Sequence, residues 1–304
     1  MLFRSTSASA TDNTMKTLLA LTLVCTFTAS VYALPDYEPF ADATGGGGTS
    51  YTPGANLGGQ ITSQGLTWAD VGTTTAGAYM TVSSGNLTVP GMPAPQGNSI
   101  TFGGLGKSAR LGLGSTISSG TVYFSFAIDI TSITGLSTSG IFWAGLNNST
   151  GIQAAQPTAV GDKIFTRAIS GGFEFGFSKN STAATDVSWD TTVRTVNQTH
   201  FLVGSYTFGS ASQLWIDPSS STFGDNSMQP AATLTGNAGG DITAVASWLF
   251  AQRNALEPAA MIADELYFGS SWADVTSAVP EPSTYVLGGL GLLAMVGRWR
   301  SGRR

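Results

Sequence analysis

Between residues 121 and 130 the apolar side chains Val122, Phe124, Phe126, Ile128 and Ile130 fall on every second position, with Ser125, Ala127 and Asp129 between them. Successive side chains of a strand point to opposite faces, so this alternation predicts a strand with one face in a core. Phe173, Phe175 and Phe177 repeat the period. Glu174 and Ser178 then fall on the other face, where Glu174 reads as a solvent-facing residue. Further strands are expected over 201–208, 213–217, 244–252 and 261–269. The segment 244–252 also fits a helical turn, since Ala, Leu and Gln are good helix formers. Runs rich in Gly, Pro and Ser at 45–48, 90–95 and 218–226 break the pattern. Many short strands separated by such breaks predict an all-β protein with two antiparallel sheets packed face to face. A parallel β-helix needs short regular repeats, which this chain lacks.

Both ends depart from that pattern. Lys16 precedes an apolar run over 18–27, and Val31 and Ala33 supply small residues before a cleavage expected after Ala33. Charge, apolar middle and small residues in that order form a secretory signal peptide over residues 1–33, with Met15 as the true start. A buried helix fits less well because Thr22, Thr26 and Thr28 interrupt the run. A lipidated Cys25 lacks the small residue wanted at Val24. At the other end Pro280, Glu281 and Pro282 precede an apolar stretch over 285–297, and Arg298, Arg300, Arg303 and Arg304 follow it. As a helix this stretch would rise about 20 Å, short of the roughly 30 Å hydrocarbon thickness, so it suits transient insertion better than permanent anchoring. Arginines beyond it stay on the cytoplasmic side and leave the preceding chain outside. An ordinary single-span tail is the plainer reading of the same stretch.

The run from Val279 to Ser283, the short Leu/Gly-rich span and the terminal arginines resemble the PEP-CTERM sorting signal of Gram-negative bacteria. That resemblance covers residues 280–304. It implies recognition of Pro280, Glu281 and Pro282 by exosortase, transient insertion in the inner membrane, export to the cell surface or extracellular matrix, and association with exopolysaccharide and biofilm. Signal peptidase would act at Ala33. Two prolines fix φ and stop a helix, which leaves the tripeptide extended and accessible.

Composition narrows the working part, residues 34–279. Only 10% of the chain is charged and 39 residues are Gly, which argues against helical bundles and α/β enzymes. Residues 34–279 hold seven Lys and Arg against sixteen Asp and Glu, a net charge of -9. No basic patch is available to neutralise phosphates, so nucleic acid is excluded as a partner. The single cysteine, Cys25, leaves with the signal peptide, so disulfides cannot form and stability must come from core burial or from a metal.

A second resemblance rests on Tyr37-Glu38-Pro39-Phe40, on Leu57-Gly58-Gly59-Gln60 with Gly65-Leu66-Thr67-Trp68, on the segment 203–206, on Leu214 to Pro218 and on Ala263 to Gly269. These are similar to concanavalin A-like, laminin G-like jelly-roll sandwiches of secreted bacterial proteins. That likeness implies adjoining first and last strands, which would bring Glu38 near Asp264 and Glu265. Glu38 with Asp264 is then the candidate pair for a structural Ca²⁺, which needs six to eight oxygens. Exposed charge that keeps an acidic protein soluble is the plainer reading of the pair.

Catalytic constellations are harder to find. Sandwich glycosidases of the laminarinase type carry Glu-x-Asp-x-x-Glu on one strand, and nothing here matches it. Asp264 and Glu265 are consecutive and should point to opposite faces. His200, the sole histidine, reads as a strand-edge residue without a Gly-x-Ser-x-Gly elbow. Zinc lacks its usual His and Cys ligands. Among Trp68, Trp143, Trp189, Trp215, Trp248 and Trp272, only Trp189 sits in a plainly polar segment and is the glycan-binding candidate; the others read as core. Asn86, Asn147, Asn148, Asn180 and Asn197 begin chance sequons. The expected function is that of an exported, non-enzymatic surface or matrix protein with a structural or glycan-binding role. The alternative is a carbohydrate-active enzyme, a glycoside hydrolase or lyase, on a concanavalin A-like fold.

Overall fold

A computed structural model describes residues 36–41, 51–62, 64–72 and 78–277. The expected signal peptide with Ala33, and the sorting segment with Pro280, Glu281, Pro282, Arg298, Arg300, Arg303 and Arg304, lie outside the described residues. Among the described residues no helix is long and apolar enough to cross a membrane.

The described chain forms fifteen strands: β1 Asp36–Glu38, β2 Trp68–Val71, β3 Thr81–Ser83, β4 Ser99–Phe102, β5 Ser108–Ile117, β6 Thr121–Ser132, β7 Ile141–Asn147, β8 Val160–Ile169, β9 Gly172–Ser178, β10 Ser188–Trp189, β11 Thr199–Thr207, β12 Ser212–Ile216, β13 Leu234–Gly236, β14 Val245–Phe250 and β15 Ala260–Gly269. One short helix, α1, spans Trp272–Thr276. An eight-stranded sheet runs β13-β12-β11-β6-β15-β4-β3, with β1 also paired to β15, and a seven-stranded sheet runs β10-β9-β8-β7-β14-β5-β2. Every ladder is antiparallel.

Alternation decides what the sheets put between them. Val122, Phe124, Phe126, Ile128 and Ile130 of β6 join Trp143, Trp248, Phe250 and Phe175 in one apolar core. Phe124 and Phe126 lie 4.7 and 5.4 Å from Trp248, and each such aromatic pair adds about 1 kcal/mol beyond the area it buries. Every residue of the segment Val245–Phe250 is buried. It is a strand between β5 and β7 rather than a helical turn, because only a strand joins both neighbours' ladders.

The outer face of the eight-stranded sheet is apolar as well. Ala127, Phe201, Val203, Trp215 and Tyr267 form a second cluster beneath Trp272 and Val275 of α1. Strands buried on both faces lose polar alternation, and the seven-stranded sheet repeats this with Phe142, Val160, Phe165 and Leu249 on its outer side. Strands β5, β7 and β8 were therefore not legible as alternating segments.

Candidate functional site

The first and last strands adjoin. Glu38 of β1 stands opposite Leu266 of β15, and Tyr37 opposite Tyr267. In β15 the pairing with β6 slips between Asp264 and Tyr267, and Glu265 takes a left-handed φ of 54°. Ala263, Leu266 and Phe268 consequently face the core, while Asp264 and Glu265 both turn outward at the bulge. The expectation of opposite faces fails here because an unpaired residue resets the period of two.

Each acid at this seam holds backbone. Asp264 accepts from Leu87 N at 2.8 Å, and Glu265 accepts from Gln96 N at 2.8 Å, so both ends of one loop hang on consecutive residues. Glu265 also accepts from the hydroxyls of Tyr37, at 2.7 Å, and Tyr267, at 3.2 Å. Glu38 accepts from Phe40 N, from the Tyr51 hydroxyl and from the Trp68 indole N–H at 2.6, 2.8 and 3.3 Å. Burial pushes the Asp264 carboxyl up to about 8, and the charges of Glu265 and Glu38 push the same way. Burial raises Glu265 too. The strands of Glu38 and Asp264 adjoin, but Glu38 turns to the main core with Tyr51 and Trp68 while Asp264 turns outward, and the oxygens of both face N–H and O–H donors rather than an open cavity. Among the described residues no group of three or more His, Cys, Asp or Glu side chains could hold a metal ion. A narrow cleft beside Glu265 is lined by Leu87, Val89, Met92, Pro93, Pro95 and Phe201.

Trp189 lies on the outer face of the seven-stranded sheet, opposite Gly176 of β9. Its indole rests in a notch made by glycines. A Cβ on Gly176 would come within 2.7 Å of the ring, and one on Gly140 would collide with the ring's far edge. The Arg167 guanidinium sits over the ring, 4.3 Å from its centroid, and pairs with Glu174 at 2.6 Å. Glu174 is on the predicted face, yet it is only 6% exposed and not the solvent-facing residue expected. The indole and guanidinium beside it displace the water. Phe165 meets the indole edge-on at 6.3 Å. Sequence reasoning missed Arg167; the Phe165, Arg167 spacing of two, antiparallel to Glu174 and Gly176, was the available signal.

His200 is the second residue of β11, which begins at Thr199, two residues before the expected start. It is buried, with Nδ1 2.8 Å from Asp217 Oδ2 and its ring edge-on to Phe175. Trp68, Trp143 and Trp248 lie in the main core, and Trp215 and Trp272 in the outer cluster. Arg110 is 1% exposed and donates to Gly151 O, Asn147 Oδ1, Gln153 Oε1 and Thr150 O, with burial lowering its pKa. That guanidinium clamps the 148–156 loop through neutral oxygens.

With this geometry in place, comparisons add one firm feature. Residues 278–304 match the family model described as the PEP-CTERM protein-sorting motif. A motif of this kind implies an exported chain processed by exosortase. No significant match exists among curated proteins. Solved structures with some likeness include the binding domain of botulinum neurotoxin serotype D, at 11% identity over 70% of this chain and 45% of that one with a TM-score of 0.42. Another is an endo-β-1,4-glucuronan lyase from the fungus Trichoderma reesei, at 12% identity over 68% of this chain and 96% of that one with a TM-score of 0.40. The serotype D ligand-binding domain in complex with N-acetylneuraminic acid gives 12% identity, 70% and 45% coverage and a TM-score of 0.41. The chain spans less than half the length of the neurotoxin domains. Likenesses this slight carry no statement about function.

Proposed function

We propose that this chain is an exported surface or extracellular-matrix protein of a Gram-negative bacterium, associated with exopolysaccharide and biofilm. It enters the export route through the signal peptide ending at Ala33 and is recognised by exosortase at Pro280, Glu281 and Pro282. Its concanavalin A-like sandwich serves a structural or glycan-binding role without catalysis. The observation that carries this reading is the sorting motif, which begins one residue beyond the folded sandwich. The adjoining terminal strands support the concanavalin A-like assignment, and the buried acids support a non-catalytic role, because each accepts hydrogen bonds from loops or tyrosines.

Trp189 is the glycan contact in this reading, with Arg167 and Glu174 as its polar neighbours. The test pairs a glycan array with a turnover assay on exopolysaccharide. Binding that Trp189→Ala abolishes, without product release, supports the proposal. Product release would replace it with a glycoside hydrolase or lyase. Recovery of intact, unprocessed chain from the cytosol would remove the export reading altogether.

A further inference from the structure

The last described residues are held tightly. Trp272 of α1 stacks edge-on against Trp215 at 5.2 Å, and its indole N–H donates to Thr222 O at 2.8 Å. Ser125 Oγ donates to Val275 O at 2.5 Å. The 218–230 loop grips the helix from the side: Asn226 Oδ1 accepts from Ala273 N at 2.8 Å, and Gly224 N donates to Thr276 Oγ1 at 3.0 Å. Ser277 then donates to Ala273 O at 2.6 Å, so the chain is anchored up to the residue before the sorting motif begins.

Chain length turns this anchoring into a constraint. Pro280 lies three residues beyond Ser277, and fully extended chain covers at most about 3.6 Å per residue, or ~11 Å in all. Any protein that grips Pro280, Glu281 and Pro282 while the sandwich is folded must therefore meet the surface around Ser277. Tyr285, where the apolar stretch starts, is eight residues beyond Ser277, so at most about 29 Å of extended chain joins the two. The surface so presented is chemically distinct. Met228 is 50% exposed, Phe223 is partly exposed, Asp225 is the only charged residue of the 218–230 loop, and no Lys or Arg lies in it.

We propose that the 218–230 loop, together with α1, is the docking surface for the membrane-embedded enzyme that processes the sorting motif. The inference rests on the exosortase reading above. The enzyme contacts folded protein at Met228 and Phe223 as well as the extended tripeptide, and the folded domain thereby contributes to substrate selection.

The test follows loss of a C-terminal epitope tag from the full chain in cells that carry the enzyme. Met228→Arg should slow tag loss about fivefold, as a contact at an interface edge does, while Val193→Arg, at an equally exposed position beside β9, should not. A twelve-residue Gly/Ser insertion after Ser277 should abolish the difference between Met228→Arg and its parent, because the enzyme then reaches the tripeptide without touching the loop. Unchanged melting of Met228→Arg confirms that folding is intact. Tag loss from Met228→Arg at the parental rate overturns the proposal, as does a slow rate that the insertion fails to rescue. If the effect vanishes in a detergent-solubilised reaction with the same enzyme, the loop meets the bilayer instead, which also overturns it. Failure of the underlying reading looks different: Pro280→Ala with Glu281→Gln would leave tag loss unaltered.

Discussion

The two sheets bury different charged groups: strand cations lie only in the seven-stranded sheet, with the buried carboxyl groups of Asp162 and Glu174 beside them, whereas the buried acids of the eight-stranded sheet stand without strand cations. All seven Lys and Arg between residues 34 and 279 lie in the strands of the seven-stranded sheet or the segments flanking them, and none in a strand of the eight-stranded sheet. On the seven-stranded side, the buried cations Arg110 and Lys163 are covered by carbonyls, amide oxygens and, for Lys163, the Phe142 ring, while the more exposed Arg167 lies over Trp189 and pairs with Glu174. On the eight-stranded side, the acids Glu38, Asp264 and Glu265 are buried among N–H and O–H donors. The difference teaches that a buried cation such as Arg110 is tolerated when its hydrogen bonds tie a loop to a sheet, whereas a buried carboxyl such as Asp264 ties its loop while burial holds its proton up to about pH 8. Cations hold the loop at 148–156, carboxyl groups the loop between Leu87 and Gln96.

The comparison can be broken most forcefully at its apolar cover. Trp272→Ala should cost about 4 kcal/mol in urea unfolding, because a large buried ring is removed and α1 loses its seat. A loss below half of that would mean that α1 is not needed to cover the outer face. Next comes pH. Burial holds Asp264 at about 8 and Glu257 at about 9, both raised, so the folded state keeps protons that the unfolded chain releases near pH 4. Stability from these groups is fully present below pH 4 and falls as pH rises through 8 and 9, a swing of about 3 kcal/mol or more. Lys163 acts oppositely. Burial and Arg253 lower it to about 8, so its contribution recovers between about 8 and the ordinary lysine value. Melting of the parent should fall from pH 5 to pH 8, and Asp264→Asn should flatten that slope; an unchanged slope would place the proton elsewhere.

Smaller changes sharpen the cationic side. Arg110→Met should cost about 2 kcal/mol, since four oxygens lose a donor and only some regain water, and amide exchange at 148–156 should speed up. Arg167→Gln should cost only about 0.5 kcal/mol, because the pair with Glu174 is partly exposed on the arginine side. A larger cost would mean that the guanidinium holds Trp189 in its glycine notch, and quenching of the indole by acrylamide would report it.

Much of this arrangement was open to reading and some was not. The alternation in β6 and β9 marked strands correctly, while the seam between first and last strands was expected only from the resemblance to concanavalin A-like sandwiches. The bulge at Glu265 was hidden, because one residue in a left-handed φ reverses the face of its neighbours without leaving any mark on composition. Glu174 was placed on its face correctly, but its burial depended on Trp189 and Arg167, which reach it from β10 and β8.

What the amino-acid order settled alone was local: alternation with period two, breaks at Gly and Pro, and a sorting motif over residues 278–304. Tertiary structure alone decided which charges are covered and which loops they hold. Burial is a property of neighbours brought together by sheet pairing, and residues such as Asp264 and Leu87, 177 positions apart, meet only after both sheets have closed.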